Sequence, residues 1–495
     1  MPKRRHTGQS TRIARALWLL LMGICQQGTV DAQAPLDRLR SFDRAAQQDA
    51  QGYRWLRWSV EAIGHRLTGS PEGARAEASS DSLFRLAGLP HVERFPFSAQ
   101  AWSRGRVQLT IGDGHGFLHL GAVALANTPL EADVEAPLID AGNGLPADLD
   151  RLGDALRGKL ALVNIGLVDA PEGTRNLHRS EKAALALGRG VAGIVFVNQV
   201  EGGVLLTGTA SIDGQLIPVP AACVATEDGA NLRQRLAQGA ALSARLGMNN
   251  DSRVVEAHNV IAEIPGSRWP QEVIMVGGHL DSWDLATGAT DNGLGAYSIL
   301  DLARAMQAMP FRPERTVRFV LFMGEEQGLL GSRALVRHYE AAGELANIRC
   351  MINLDMSGNP YGFGVGGPQG WAELMGRLNE DIRAATDGHF RGELSEQVWL
   401  HSDHQPFLMS GVPVIYPLSD LGKHVYGCYH SSCDDIHLVD PQAMVNNVRH
   451  VGMLLYGLAA ADKLPARYTE QELRAMLVEQ GLEQPLRIGG DWPWD

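Results

Sequence analysis

The chain has 495 residues, 45% of them hydrophobic, and its 56 acidic and 44 basic side chains give a formal net charge of −12. That length exceeds what a single hydrophobic core usually supports, so we expect two domains. The acidic balance argues against nucleic acid and against anionic membrane surfaces as partners, because both repel a protein of this charge.

Residues 1–32 have the pattern of a cleaved signal peptide. Five Lys and Arg side chains precede an apolar run from Ala16 to Ile24, and Val30-Asp31-Ala32 offers a cleavage site. The apolar run is about half of the roughly 20 residues that a membrane-spanning helix needs. We therefore expect no membrane span and a secreted or periplasmic protein.

Residues 33–114 and 251–464 are predicted to form one α/β domain that an insertion interrupts. A helical pattern from Ser70 to Ala87 begins with a capping serine and a proline, and a strand pattern follows at 91–95. The chain returns to this domain only at residue 251, where a longer series of alternating strand and helix patterns begins.

The predicted insertion, residues 115–250, has a different composition from its surroundings. A helix is expected from Ser180 to Leu187, among short apolar strands separated by Gly and Pro at 160–165, 193–197 and 216–219. At the other end of the chain, residues 465–495 are predicted to be a C-terminal tail, either disordered or packed on the core.

Four apolar runs in the second half of the chain are predicted to be strands of a largely parallel sheet flanked by helices. They lie at 273–276, 316–322, 351–354 and 412–416, and helical patterns at 294–306 and 329–339 follow the first two. In such sheets ligands bind at the carboxyl ends of the strands. Five side chains with metal-binding groups come at or beyond these ends: His279, Asp291, Glu326, Asp355 and His430.

Two imidazoles and three carboxylates suit zinc, which binds nitrogen and oxygen ligands. Asp291 is the best candidate for a carboxylate that bridges two ions, since it lies in the loop between a strand and a helix. His279 and Asp355 would then complete one metal site, and Glu326 and His430 the other. Ions in two-metal sites lie about 3.5–4 Å apart, a distance that one carboxylate spans.

Acidic residues next to these ligands are candidates for proton transfer and for orienting the histidines. Glu325 is predicted to be a general base that takes a proton from water. Asp281 can accept the free ring N–H of the first histidine, and either Asp434 or Asp435 can accept that of the second.

The segments GGHLDSWD, TDNGLG, MGEEQGLLGS, NLDMSG and YHSSCDD resemble the di-zinc exopeptidases that include aminopeptidase Y and carboxypeptidase Q. The resemblance extends from about Gly64 to Ala461. It implies two Zn²⁺ per chain on the five ligands, Glu325 as the catalytic base and Asp281 as a second catalytic acid. The run KAALALGRGVAGIVF from Lys182 resembles the protease-associated domain, which we expect the insertion to be.

By this resemblance the chain is expected to be an exported exopeptidase that hydrolyses dipeptides and short peptides, as carboxypeptidase Q does. An aminopeptidase that releases N-terminal residues is the alternative, and a homodimer stays open. Two further alternatives are a glutaminyl cyclase-like acyltransferase with one zinc and a receptor-like relative without activity. The presence of all five ligand positions argues against both.

Cys428 and Cys433 flank His430 in the sequence. In an oxidising compartment they could form a disulfide that closes a small loop around the histidine, whereas two free thiols are the alternative. The sequence leaves both open.

Overall fold

The computed structural model describes residues 35–114 and 116–494, so the predicted signal peptide lies outside the described residues. The described strands form one large mixed sheet: β1 (His91–Gly112), β2 (Phe117–Leu120), β3 (Val123–Ala124), β4 (Glu131–Asp140), β5 (Leu160–Asn164), β6 (Gly193–Val197), β7 (Ala221–Val224), β8 (Ser243–Ile264), β9 (Trp269–His279), β10 (Arg315–Phe322), β11 (Ile348–Asn353), β12 (Gly362–Gly366), β13 (Glu393–Ser395) and β14 (Val414–Leu418).

The α-helices of the described residues cover this sheet. They are α1 (Pro35–Gln48), α2 (Gly52–Ala62), α3 (Pro71–Leu86), α4 (Pro146–Leu152), α5 (Arg179–Gly188), α6 (Thr226–Ala237), α7 (Leu294–Gln307), α8 (Leu330–Ala342), α9 (Trp371–Ala385), α10 (His404–Met409), α11 (Lys423–Tyr426), α12 (Pro441–Ala460), α13 (Glu470–Glu479) and α14 (Glu483–Ile488).

The second half of the chain has four parallel strands at its centre, in the order β14, β11, β9, β10. Antiparallel neighbours flank them, β12 beside β14 and β8 beside β10. Helices cover both faces, since Ile274 and Val276 of β9 belong to one buried cluster and the intervening Met275 to another. The predicted α/β fold with helices around a central sheet is confirmed, and the sheet is parallel at its centre and mixed at its edges.

The N-terminal helices belong to this same core. Leu39 and Phe42 of α1, Leu56 of α2 and Phe84 of α3 are buried in one cluster with Ile274. Ser70 accepts a hydrogen bond from the backbone N–H of Gly73, the cap that the sequence predicts for α3. Residues on both sides of the insertion therefore build one hydrophobic core.

Within the insertion, β4, β5, β6 and β7 are parallel neighbours, and β3 pairs antiparallel with β7. The predicted strand at 216–219 is wrong, because the strand in this region is β7, which begins only at Ala221. Two prolines precede it, Pro218 and Pro220, and a proline has no N–H to donate within a sheet.

Two long strands join the insertion to the rest of the molecule. β1 and β8 have 22 residues each and pair from His91 opposite Glu263 to Gly112 opposite Ser243. One end of β8 pairs with β10 and the other with β4. Both strands run through the two regions without a linker, so no break in the chain marks a boundary between them. The domain limits at residues 114 and 250 therefore stay a prediction.

The C-terminal segment, residues 465–494, packs on the core in the described part of the chain. Four of its leucines are buried against Val398, Leu400, Leu408 and Val414: Leu473, Leu477, Leu482 and Leu486. Among the described residues, we find no helix with the length and apolar character needed to cross a membrane.

Candidate active site

The carboxyl ends of three parallel strands bring the predicted ligands to one edge of the sheet. β9 ends at His279, β10 is followed by Glu325 and Glu326, and β11 is followed by Asp355. β10 and β11 both pair with β9, so these positions become neighbours in space.

Asp291 lies at the centre of the site, between the two histidines. Its Oδ1 is 3.2 Å from Nε2 of His279, and its Oδ2 is 3.0 Å from Nε2 of His430. Asp355 Oδ1 is 3.4 Å from the same nitrogen of His279, and Glu326 Oε2 is 3.0 Å from that of His430. The structure thus brings together all five predicted ligands, in the two groups that the sequence analysis expected.

The carboxylate of Asp434 holds the loop that carries Asp291. It accepts hydrogen bonds from the hydroxyl and backbone N–H of Thr290, at 2.6 and 2.8 Å, and from the backbone N–H of Asp291 at 3.0 Å. The expectation that Asp434 or Asp435 orients His430 is wrong, because Asp434 bonds to the Asp291 loop and Asp435 to Thr287. The chain path, and not the short sequence separation, decides which loop each carboxylate reaches.

Arg179 of the insertion faces His430 instead. Its Nη2 is 2.9 Å from Nδ1 of the histidine, and the carbonyl oxygen of Thr207 is 3.4 Å from the same nitrogen. Tyr429 stacks on the ring, with centroids 3.8 Å apart. Sequence reasoning missed Arg179, since nothing in the pattern of the insertion marks it.

Asp281 is fully buried and fixes its surroundings through three contacts. Its Oδ2 accepts from the hydroxyl of Thr68 at 2.9 Å, and its Oδ1 accepts from the backbone N–H of Glu325 at 3.3 Å. Nδ1 of His279 is 3.6 Å from Asp281 Oδ1 and 3.1 Å from its backbone oxygen. The predicted partner of His279 is therefore adjacent to it, and the better hydrogen-bond distance is to the backbone carbonyl.

Three more residues, none of which was given a positioning role from the sequence, hold the site in place. The hydroxyl of Ser402 donates to Asp355 Oδ2 at 2.7 Å, and Asn353 donates to Ser402. The fully buried guanidinium of Arg66 donates to the carbonyls of Leu280, Thr287 and Gly288, at 2.6 to 2.8 Å. Arg66 thereby holds both ends of the loop between β9 and Asp291.

Several carboxyl groups lie close together in the site, and burial and their mutual charges shift their pKa values. Burial raises the pKa of Glu325 well above its usual range, and the charges of Glu326 and Asp355 raise it further against the opposing effect of His279. Burial also raises the pKa of Asp291, but the two histidines outweigh it and lower that pKa overall. A bound cation would reverse the effect on Glu325 and favour its ionised form.

The donor set fits a metal ion. His279, Asp291 and Glu326 each offer one ligand atom, and these atoms lie within 4.8 Å of one another. Among the described residues, Glu326 Oε1 is buried and receives no hydrogen bond. Buried carboxylate oxygens without donors are costly unless a cation compensates them.

Beside these ligands lies a cleft of about 720 Å³ that is open to solvent. Its lining includes Glu325, Glu326 and His430, together with side chains of the insertion and of the C-terminal segment. A disulfide joins Cys428 and Cys433, which closes the short loop that carries His430.

Comparison with known proteins finds similarity to metallopeptidases. Peptidase family M28 matches residues 259–455, and the PA domain, the protease-associated domain, matches residues 134–232. The chain is 26% identical to carboxypeptidase Q of Bos taurus over 408 residues, which cover 80% of this chain and 82% of the relative. It is 27% identical over 498 residues to probable leucine aminopeptidase 2 of Aspergillus fumigatus, covering 94% of this chain and 89% of the relative.

Among solved structures, the crystal structure of a peptidase M28 precursor from Shewanella amazonensis has the same fold, with a TM-score of 0.76 and 22% identity, and covers 88% of this chain and 99% of that one. The predicted resemblance is confirmed. The M28 match contains all five gathered side chains, and the PA match lies between two parts of the same core. The chain therefore carries a segment that matches peptidase family M28, preceded by a match to the PA domain, and is similar along most of its length to carboxypeptidase Q and to an aminopeptidase.

Proposed function

We propose that this chain is an exported, zinc-dependent exopeptidase that hydrolyses dipeptides and other short peptides, with two Zn²⁺ held by His279, Asp291, Glu326, Asp355 and His430. The position of Asp291 carries the proposal, because its two carboxylate oxygens face Nε2 of His279 and Nε2 of His430 at 3.2 and 3.0 Å. A carboxylate between two imidazoles suits a bridging role, and nitrogen and oxygen donors suit zinc.

Bound zinc supplies positive charge that polarises the peptide carbonyl and lowers the pKa of water. Glu325 also lines a second pocket, of about 630 Å³, together with His279, Asp291 and Asp355. In this proposal it accepts a proton from the attacking water and returns it to the leaving amine. Asp281 was expected to be a second catalytic acid. In this proposal it is a positioning residue, since its contacts are with His279, Thr68 and the backbone of Glu325.

Two directions of attack are open to such a site. Similarity to carboxypeptidase Q supports hydrolysis of unblocked dipeptides and short peptides. The aminopeptidase alternative has its own support, because the similarity to probable leucine aminopeptidase 2 extends over 94% of the chain. The two differ in which end of the substrate must be free.

The test combines metal content with a small set of substrates. We expect two zinc ions per purified chain, and we expect a chelator to abolish hydrolysis of an unblocked dipeptide. Longer peptides blocked at the N-terminus or amidated at the C-terminus then show the direction, because each block stops only the enzyme that needs that end free. One zinc per chain, or no hydrolysis of any unblocked peptide, would contradict the proposal.

Export is part of the proposal and has a test of its own. The apolar run after the basic N-terminus supports cleavage behind Ala32. Protein recovered from the periplasm or the medium should then begin at Gln33. Recovery of the intact N-terminus from the cytoplasm would contradict it.

A further inference from the structure

The cleft beside the candidate site has walls from three parts of the chain. The peptidase core contributes Glu325 and Glu326, and the PA insertion contributes the residues at the start of α5. The C-terminal segment contributes Pro485, Leu486, Gly489 and Asp491. The family match to the peptidase ends at residue 455, so this last wall lies outside it.

Asp491 fastens the C-terminal segment to the peptidase core. Its carboxylate accepts two hydrogen bonds from Arg333, at 2.7 and 2.6 Å, and one from Gln405 at 2.7 Å. Arg333 is on α8, the helix that follows Glu325 and Glu326. Gln405 in turn accepts from the backbone N–H of His401, which also lines the cleft.

The same segment also reaches the PA insertion. Arg175 donates to the carbonyls of Gln480 and Gly481 at 3.0 and 3.1 Å, and α14 contacts α5. Leu482, directly before α14, and Leu486, within it, are almost completely buried. The C-terminal segment therefore extends across the cleft from the peptidase core to the insertion, and buried leucines hold it there.

We propose that the C-terminal segment is the end wall of the substrate cleft and limits hydrolysis to short peptides. The inference rests on the proposed exopeptidase function, which it deepens by naming what sets the substrate length. An extended peptide grows by about 3.3 Å per residue, so each added residue needs room that the wall of Leu486, Gly489 and Asp491 takes up. Release of the Arg333–Asp491 contact opens that room.

The test measures kcat/KM for unblocked alanine peptides of two to six residues. In the unaltered protein we expect the value to fall steeply with length. Asp491→Ala should raise the ratio of hexapeptide to dipeptide kcat/KM about fivefold, because it removes a partly exposed ion pair from the closed arrangement. Asp462→Ala is the matched control, since it breaks an exposed Arg–Asp pair with Arg268 away from the cleft, and it should leave the ratio unchanged.

Reversal of the pair provides a rescue. Arg333→Asp combined with Asp491→Arg restores an ion pair between the same positions and should return the ratio toward that of the unaltered protein. If Asp491→Ala lowers the yield of folded protein, Arg333→Ala breaks the same pair from the other side and should raise the ratio in the same way. An unchanged ratio in Asp491→Ala, or an equal rise in Asp462→Ala, would overturn the proposal. Failure of the unaltered protein to hydrolyse any peptide would instead contradict the proposed function.

Discussion

The guanidinium of Arg179, in the inserted PA domain, lies 2.9 Å from Nδ1 of His430, in the peptidase domain. Arg179 is only 6% exposed and rests on Gly208, where an added Cβ would come within 2.0–2.1 Å of the guanidinium atoms. Its Nε has no hydrogen-bond partner among the described residues. The insertion thus contributes a cation to the candidate active site.

Arg179→Met should lower kcat/KM for an unblocked dipeptide about tenfold to hundredfold, in the range seen when outer partners of metal ligands are lost. The arginine lines the cleft beside Glu325 and Glu326, where negative charge develops on the substrate during hydrolysis. Zinc content should not fall, because a guanidinium is not a metal ligand. Kinetics and metal analysis of the same preparation check both statements.

Arg189→Met is the control for Arg179, because it removes an arginine that caps the same helix and pairs with the exposed Asp150. It should leave kcat/KM within a factor of two. Unchanged kcat/KM in Arg179→Met would show that the insertion does not assist the reaction. The same would follow if the variant lost zinc and regained the full kcat/KM once zinc was restored.

Glu325→Gln should lower kcat by a factor of about 10² to 10⁴ while the zinc content holds, because an amide cannot accept the proton of the attacking water. The replacement keeps the size of the side chain and leaves the five candidate ligands in place. Glu373→Gln changes an exposed glutamate on α9 and serves as the control. Activity within a few-fold of the unaltered protein would mean that another group is the base.

Four of the five candidate ligands follow a recognisable structural signal in the sequence, whereas His430 lies in a loop well beyond the end of β14. His279, Glu326 and Asp355 come one to four residues after apolar runs that are too short for helices, and parallel strands bring such positions to one edge of a sheet. Asp291 follows in the loop before a strongly helical segment. Local patterns are sufficient here because the architecture itself brings strand ends together.

The groups around the ligands could not be predicted in the same way. Arg179 contacts His430 across a sequence separation of 251 residues, and Thr68 contacts Asp281 across 213 residues. A periodic pattern in the sequence does not indicate contacts between such distant residues. Of the two 22-residue strands, only residues 91–95 of β1 were predicted, and β8 was not. β1 is exposed on both faces along much of its length, so it lacks the regular apolar alternation by which a strand is recognised.

Arg66→Met should lower the free energy of unfolding by about 3 kcal/mol, since it removes the donor to the carbonyls of Leu280, Thr287 and Gly288, and two of these three hydrogen bonds are fully buried. Zinc affinity should fall with it, because these carbonyls belong to the loop between His279 and Asp291. Urea unfolding of metal-free and zinc-loaded protein measures both effects. Arg75→Met, at an exposed position on α3, is the control and should change stability by less than about 0.5 kcal/mol.

The burial of His450 leads to a prediction of how the free energy of unfolding depends on pH. The side chain is 2% exposed on α12, donates through Nδ1 to the carbonyl of Pro360 at 2.9 Å, and its Nε2 has no partner among the described residues. Burial, with a smaller contribution from Arg449, lowers the pKa of His450 to about 3. In the unfolded chain the pKa of a histidine is about 6.5.

Between those two pKa values the unfolded chain binds a proton that folded His450 does not, so the free energy of unfolding falls as the pH falls through this range. From pH 7 to pH 5 the loss due to this residue is about 2 kcal/mol. His450→Gln keeps a donor for Pro360 and removes the proton-binding group, so its stability relative to the unaltered protein should improve by that amount over the same interval. His389→Gln replaces an exposed histidine and should show no such improvement. Urea unfolding at pH 7 and 5 decides, because parallel loss of stability in His450→Gln and the unaltered protein would mean that buried His450 does not drive the acid sensitivity.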